Sequence, residues 1–167
     1  MNIRLLEESD AIEYRELRLE ALQNNPEAFA TTYEDEIKKT FEDYRNRLSR
    51  KDFWTFGAFD NNQLIGVVTL IREQGHKLRH RTSIVAMYVT SEGRRKGTGK
   101  SLMLLAIQHA KQMEGIEQIY LSVVTTNTAA IRLYQSLGFE VFGTEKRAMK
   151  SSDATYWDEY HMVLYLI

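Results

Sequence analysis

Residues 82–89, TSIVAMYV, are apolar on both alternation classes of a strand, with Ile84, Ala86 and Tyr88 on one side and Val85, Met87 and Val89 on the other. A strand on a half-solvated sheet buries one face only, so this run predicts a central strand covered on both sides. The covering elements must come from the flanking sequence, where helical spacing recurs. Tyr14, Leu17 and Ala21 share a face over Ala11 to Asn24, behind Ser9 or Asp10 as a cap. Leu102, Leu105, Ala106, His109 and Met113 recur likewise up to Gly115, expected as a left-handed C-cap. Shorter helices are expected from Thr40 to Ser49 and from Thr128 to Leu137, the latter stopped by Gly138. Strands are expected at residues 2–6, 54–60, 63–71, 118–124, 140–149 and 156–166, with Asn61 and Asn62 tolerating the positive φ of a tight hairpin. The order βα(α)βββαβαββ implies an α/β fold with a central mixed, mostly antiparallel sheet of about seven strands and helices on both faces. Pro26, the single proline, lies in the only stretch that reads as a long irregular loop.

A chain of 167 residues fits one domain, spanning 1–167, with 43% hydrophobic residues to build its core. Lys and Arg number 22 against 23 Asp and Glu, so no global basic field holds nucleic acid or an anionic membrane, and any cationic site is local. With no cysteine, disulfides, thiol catalysis and thiolate metal sites are excluded together. No run approaches ~18 consecutive apolar residues, and MNIRLLEESD lacks the apolar core of a signal peptide, so a cytoplasmic location is expected.

Between the central strand and the helix that follows it lies SEGRRKGTGKSL, with three glycines and the cations Arg94, Arg95, Lys96 and Lys100. A helix N-terminus offers unpaired N–H groups and partial positive charge, and glycine lets a phosphate approach that backbone. GTGKS looks like the end of a nucleotide-triphosphate loop, but such a loop needs glycine where Arg94 stands, and Gly93 is one residue early. A dinucleotide fingerprint fails because Leu102 occupies the place of its third glycine. A charged surface turn before an ordinary helix start is the plain alternative.

Arg94, Gly97 and Gly99, spaced R-x-x-G-x-G directly after MYV, resemble the acyl-coenzyme A pyrophosphate loop of the GNAT superfamily of N-acetyltransferases. Downstream, NTAAIRLYQSLGFE resembles the same family's later helix signature, in which an asparagine opens the helix, a tyrosine follows two turns on and GF closes it. Asn127 and Tyr134 are seven residues apart and fall nearly in line on a helix. As plain structure, Asn127 is a good N-cap and Tyr134 a packing residue. The first half has the family's βαα and hairpin order, and RLEALQNNPEAFATTYEDE resembles one large branch of it.

The resemblance implies a GNAT-like acyl-CoA N-acyltransferase fold and an enzyme moving the acetyl group of acetyl-CoA to a primary amine by direct attack. It implies that the amides of Arg95, Lys96, Gly97, Thr98, Gly99, Lys100 and Ser101 wrap the pyrophosphate. Met87, Tyr88 and Val89 would pair with pantetheine where the fourth and fifth strands splay, the Val89 N–H being a candidate for the acetyl oxygen. Asn127 would bind the pantetheine or phosphate region, and Tyr134 would protonate the departing thiolate. The strand TSIVAMYV lacks the glutamate some members use as a base, which leaves Glu73, His80, Glu34 and Glu159 as candidates by rough location, beside catalysis through water or none. His109 and His161 read as ordinary helix and strand residues, and no His, Asp and Glu cluster has metal spacing, so no metal is expected. Glu34, Asp35 and Glu36 form an acidic run suited to a cationic amine or simply to solvent. A noncatalytic acyl-CoA-binding sensor of the same fold is the rival reading, and exposed edge strands with an aromatic final strand suit a homodimer.

Overall fold

A computed structural model describes residues 1–167. Its strands are β1 (Asn2–Leu5), β2 (Phe53–Asp60), β3 (Gln63–Arg72), β4 (Arg81–Val89), β5 (Gln118–Val124), β6 (Glu140–Lys150) and β7 (Tyr156–Tyr165). Its helices are α1 (Ala11–Asn24), α2 (Tyr33–Glu36), α3 (Phe41–Leu48), α4 (Thr98–Gln112) and α5 (Thr128–Ser136). The strands form one seven-stranded sheet in the order β1-β2-β3-β4-β5-β7-β6. Only β4 and β5 are parallel, joined by the α4 crossover, and every other pair is antiparallel. No helix is long and apolar enough to cross a membrane.

Local chemistry sets most boundaries. Asn61 and Asn62 take φ 49° and 65° and turn β2 into β3. Thr40 caps α3 in a reciprocal box with Asp43. Asp10, expected to cap α1, does not: its carboxylate accepts two bonds from the Arg4 guanidinium and one from the Glu7 N–H, pinning β1 to the helix entry instead. Gly115, expected as the C-cap of α4, is left-handed but lies beyond the cap, which is Met113 in extended geometry. The loop around Pro26 is partly ordered into a 3-10 turn (Pro26–Ala28) and the short α2.

Two hydrophobic clusters occupy opposite faces of the sheet. One packs Leu102, Met103, Ala106 and Ala110 of α4 against Val68, Leu70 and Ile84, and the other packs Tyr14, Leu17 and Ala21 of α1 against Leu64, Val67 and Tyr88. Ile84 and Tyr88, expected on one face, are therefore on opposite faces. The reason is a bulge in β4. Thr69 is opposite Val85 and Val67 opposite Tyr88, so β4 inserts one extra residue, and Ala86 takes φ 54°. The covering is also incomplete: Val85 is 40% exposed.

Candidate active site

β4 and β5 are paired only at Arg81–Ser83 against Gln118–Tyr120. Beyond that the bulge turns β4 aside, and the two strands part around a cleft of about 710 Å³. Met87, Tyr88 and Val89 line one wall, Val124, Thr126 and Asn127 another, with the β4–α4 loop at one end and Tyr134 of α5 inside. Asn25, Ala28 and Phe29, around Pro26 in the loop after α1, add a third wall.

In the loop, Arg94 N–H donates to the Thr90 carbonyl and Ser101 N–H to the Gly97 carbonyl, but the N–H groups from Arg95 to Lys100 have no acceptor in the protein. Arg95 and Gly97 are left-handed, with φ 62° and 76°, on either side of Lys96. Such alternation turns successive N–H groups into an anion-binding concavity, continued here by the N-terminus of α4. A Cβ at Gly97 would meet nothing within 4 Å, so its glycine serves the left-handed backbone and leaves that side open. A Cβ at Gly99 would come 3.1 Å from Met87 Cε and 3.5 Å from Leu133 Cδ2, so there glycine lets β4 and α5 close on the first turn of α4.

The four cations separate. Arg95 and Lys100 line the cleft without a carboxylate partner. Arg94 bridges the cleft mouth, donating through Nε to the Val89 carbonyl at 3.0 Å and through Nη2 to Asn25 Oδ1 at 2.9 Å. Lys96 does not line the cleft, and its ammonium stands 3.8 Å from Asp60 Oδ2. Ser101 is also absent from the lining, its amide spent inside the helix. Thr98 is buried and its hydroxyl donates to the Gly93 carbonyl at 2.8 Å, which leaves only its main chain for a ligand.

Asn127 is the N-cap expected of it and also lines the cleft. Its Oδ1 caps α5 by accepting from Ala130 N–H at 3.3 Å, while the residue stays exposed on the cleft edge. Tyr134 is 7% exposed and packs edge-on against Phe139, with centroids 6.1 Å apart. Its hydroxyl has no hydrogen-bond partner and is not sealed from the cleft. Burial pushes this phenol up to about 12. Tyr88 turns the other way: its hydroxyl donates to Glu20 Oε1 at 2.9 Å and lies 3.4 Å from Asn24 Nδ2 on α1.

The candidate bases are scattered. Glu73 and His80 flank the turn between β3 and β4, at the opposite end of β4 from Met87–Val89. Glu34 is exposed in α2. Glu159 alone adjoins the cleft, opposite Val124 in the β5–β7 ladder, and burial followed by the charge of Glu145 raises its carboxyl above the ordinary range. Glu36 is not a solvated member of an acidic run. It is fully buried, accepts from the Tyr44 hydroxyl at 2.5 Å and pairs with Lys39 Nζ at 3.0 Å and Arg47 Nη1 at 3.5 Å. His109 packs between Trp54 and Phe56. His161 lies in β7, hydrogen-bonded on both ring nitrogens. No group of three His, Asp or Glu side chains has the geometry to hold a metal ion.

A concave row of free amides on a cleft between splayed parallel strands has the geometry to receive an anionic group on a mixed sheet. The profile of the acetyltransferase (GNAT) family matches residues 14–139, and the chain belongs to that family. The acetyltransferase of the GNAT family from Streptococcus pneumoniae is 25% identical with a TM-score of 0.88, covering 99% of both chains. The phosphinothricin acetyltransferase of Sinorhizobium meliloti, solved with acetyl-CoA, superposes with a TM-score of 0.82 at 21% identity over 99% of this chain and 88% of its own. Among curated relatives, N-alpha-acetyltransferase 30 of Dictyostelium discoideum is 36% identical over 58% of this chain and 51% of its own length. The human N-acetyltransferase 8 is 32% identical over 54% and 39%. The matched part thus spans about half or less of these relatives.

Proposed function

We propose that the protein transfers the acetyl group of acetyl-CoA to a primary amine of a small molecule or a protein. One observation carries this reading: the unpartnered amides of Arg95 and of Gly97 to Lys100 lie on the same cleft as the unpartnered Tyr134 hydroxyl. The residues fit the ligand. The amide row, with Arg95 and Lys100, receives a diphosphate, the wall Met87–Val89 offers main chain to a pantetheine, and Asn127 keeps its NH₂ group free. Acetyl-CoA supplies the activated thioester. Val89 N–H, or a neighbouring amide of β4, donates to the acetyl oxygen as charge develops there.

Tyr134 stands by the sulfur as acid. A phenol near 12 is fully protonated at neutral pH, well above a thiol at about 8.5, so its first contribution is a hydrogen bond to the developing thiolate. Its proton is delivered as the nitrogen, whose acidity rises steeply on acylation, gives one up. A cytoplasmic location belongs to the same reading. The names of the relatives, which include a spermine/spermidine N(1)-acetyltransferase and mycothiol acetyltransferases, span unlike acceptors and leave the choice of amine to experiment.

A screen of small amines and free-N-terminus peptides, read by release of free coenzyme A, tests the reaction and finds the acceptor. Acetyl-CoA at a hundredfold excess over its Kd should also stabilise the fold by about 2.7 kcal/mol. Stabilisation without release from any amine would favour the noncatalytic binding module, and stabilisation by ATP with magnesium instead would return the loop to a nucleotide role.

A further inference from the structure

Three side chains from three strands meet on the part of the α1 face of the sheet that lies beyond the helix. Ser122 of β5 is opposite His161 of β7, and Gly143 of β6 is opposite His161 on its other side, two residues before Glu145. Ser122 Oγ lies 2.9 Å from His161 Nδ1, and His161 Nε2 lies 2.9 Å from Glu145 Oε2. The Phe142 ring, 6.1 Å away by centroids, packs on the imidazole and in turn meets Tyr120 edge-on at 5.6 Å. Ser122 and Phe142 are exposed. α1 covers the same face over β3 and β4, where Val67 and Tyr88 pack beneath it, and leaves this patch open.

The patch adjoins the cleft. Ser122 and Val124 are two residues apart on β5 and share a face, about 7 Å from each other, and Val124 lines the cleft where β4 and β5 part. Val85, exposed on β4, flanks the opening from the other side. An amine approaching a thioester held in the cleft from this uncovered face therefore passes Ser122.

We propose that Ser122, His161 and Glu145 form the relay that takes the proton from the acceptor amine, a role that rests on the acetyl-transfer reading. The hydrogen bonds fix its direction. An ionised Glu145 only accepts, so His161 donates from Nε2 and keeps a lone pair on Nδ1, which accepts from the Ser122 hydroxyl. Ser122 Oγ, exposed and with no other side-chain partner, then keeps its own lone pairs free. A carboxylate, an imidazole and a hydroxyl in series have the logic of a charge-stabilised base, here with the two ring nitrogens interchanged relative to serine hydrolases.

The step balances without another reactant. An ammonium N–H proton passes to Ser122 Oγ while the Ser122 hydroxyl proton passes to His161 Nδ1, leaving a neutral amine and an imidazolium beside the Glu145 carboxylate. The amine nitrogen forms its bond to the acetyl carbon, the carbon–sulfur bond breaks with its electron pair on sulfur, and the second nitrogen proton replaces the one Tyr134 gives to sulfur. The imidazolium returns its proton to solvent through the open face. The charged groups beside His161 are Glu145 on β6 and Glu159 on β7. On β5, Tyr120 is the nearest titratable neighbour, with Arg81 stacked over its ring at 5.0 Å.

Nitrogen-15 NMR of His161 in the full chain reads the tautomer without any acceptor, and the Nε2–H form is expected. An Nδ1–H form overturns the relay. Kinetics with spermidine and with a free-N-terminus peptide as probes then compare wild type, His161→Gln and Ser122→Ala. At neutral pH kcat should fall about a hundredfold in His161→Gln, with acetyl-CoA affinity and melting temperature kept. Its rate should recover as pH rises and the amine becomes neutral on its own. A wild-type rate and pH profile in both variants overturns the proposal, as does a loss of rate that follows a loss of acetyl-CoA binding or of stability. Wild type inert toward every amine, with the Nε2–H tautomer present, would instead strike the acetyl-transfer reading.

Discussion

Tyr134 and Gly97 test the two ends of the cleft separately. Tyr134→Phe keeps the ring that packs on Phe139 and removes a hydroxyl that bonds to nothing in the protein. Stability and acetyl-CoA affinity should therefore hold, while kcat drops about a hundredfold if the phenol serves the sulfur. Steady-state kinetics beside calorimetric binding of acetyl-CoA separates the two, and an unchanged kcat would remove the tyrosine from the chemistry. At Gly97 the two obvious substitutions differ in kind. Gly97→Ala has room for its methyl and suffers chiefly the left-handed φ of 76°, about 1 kcal/mol of stability. Gly97→Glu adds a negative charge beside the amide row and should weaken acetyl-CoA binding at least tenfold beyond the alanine variant. Equal affinities in the two variants would detach this loop from the diphosphate.

At the scale of elements, the bulge in β4 does what alternation in the sequence could not announce. TSIVAMYV reads as an uninterrupted buried strand because every residue from Ile84 to Val89 is apolar, so a one-residue slip leaves no polar residue on the wrong side to betray it. Ala86 at φ 54° is the slip, and it sends Tyr88 toward α1 and opens the wall of the cleft. Where chemistry was punctuated, the sequence was readable: Asn61–Asn62 turned, Gly138 at φ 98° ended α5, and the glycine loop stood where the strand met α4. Long-range register was not readable, which is why Ser122, His161 and Glu145 carried no signal, and why Lys96 and Ser101 looked equivalent to their neighbours. Valine ordinarily suits a strand, but Ala86→Val would force a β-branched side chain into the left-handed region. The branch adds to the Cβ cost that Ala86 already bears there, and the melting temperature should fall by a few degrees. A neutral or raised melting temperature would mean that the bulge relaxes elsewhere.

Over the whole molecule, one buried charge ties stability to a wall of the cleft. Glu36 receives the Tyr44 hydroxyl and the cations Lys39, Arg47 and Arg18, and Arg18 also stacks over Phe29, which lines the cleft, at 4.8 Å. Burial alone would raise this carboxyl, but the Tyr44 hydrogen bond with Lys39 and Arg47 outweighs it and holds it below the ordinary range. A carboxyl depressed in the folded state gives stability that is present above its unfolded value of about 4.3 and is lost as pH falls through the folded one. His109, depressed by burial, adds an earlier step of the same sign: the unfolded chain binds the proton first, so stability declines as pH drops below about 6.5. Acid unfolding should therefore begin in two separable stages. His109→Phe should flatten the upper one. Glu36→Gln should flatten the lower one while costing about 3 kcal/mol at neutral pH, because its cations lose their countercharge. The Glu36→Gln deficit in melting temperature should shrink toward zero once wild-type Glu36 is itself protonated, and a deficit constant from neutral pH to strong acid would show that shape rather than charge holds the cluster. With Arg18 released from Glu36, Phe29 loses its backing, so on the acetyl-transfer reading the amine KM should rise several-fold in this variant while acetyl-CoA affinity, measured by calorimetry, is kept.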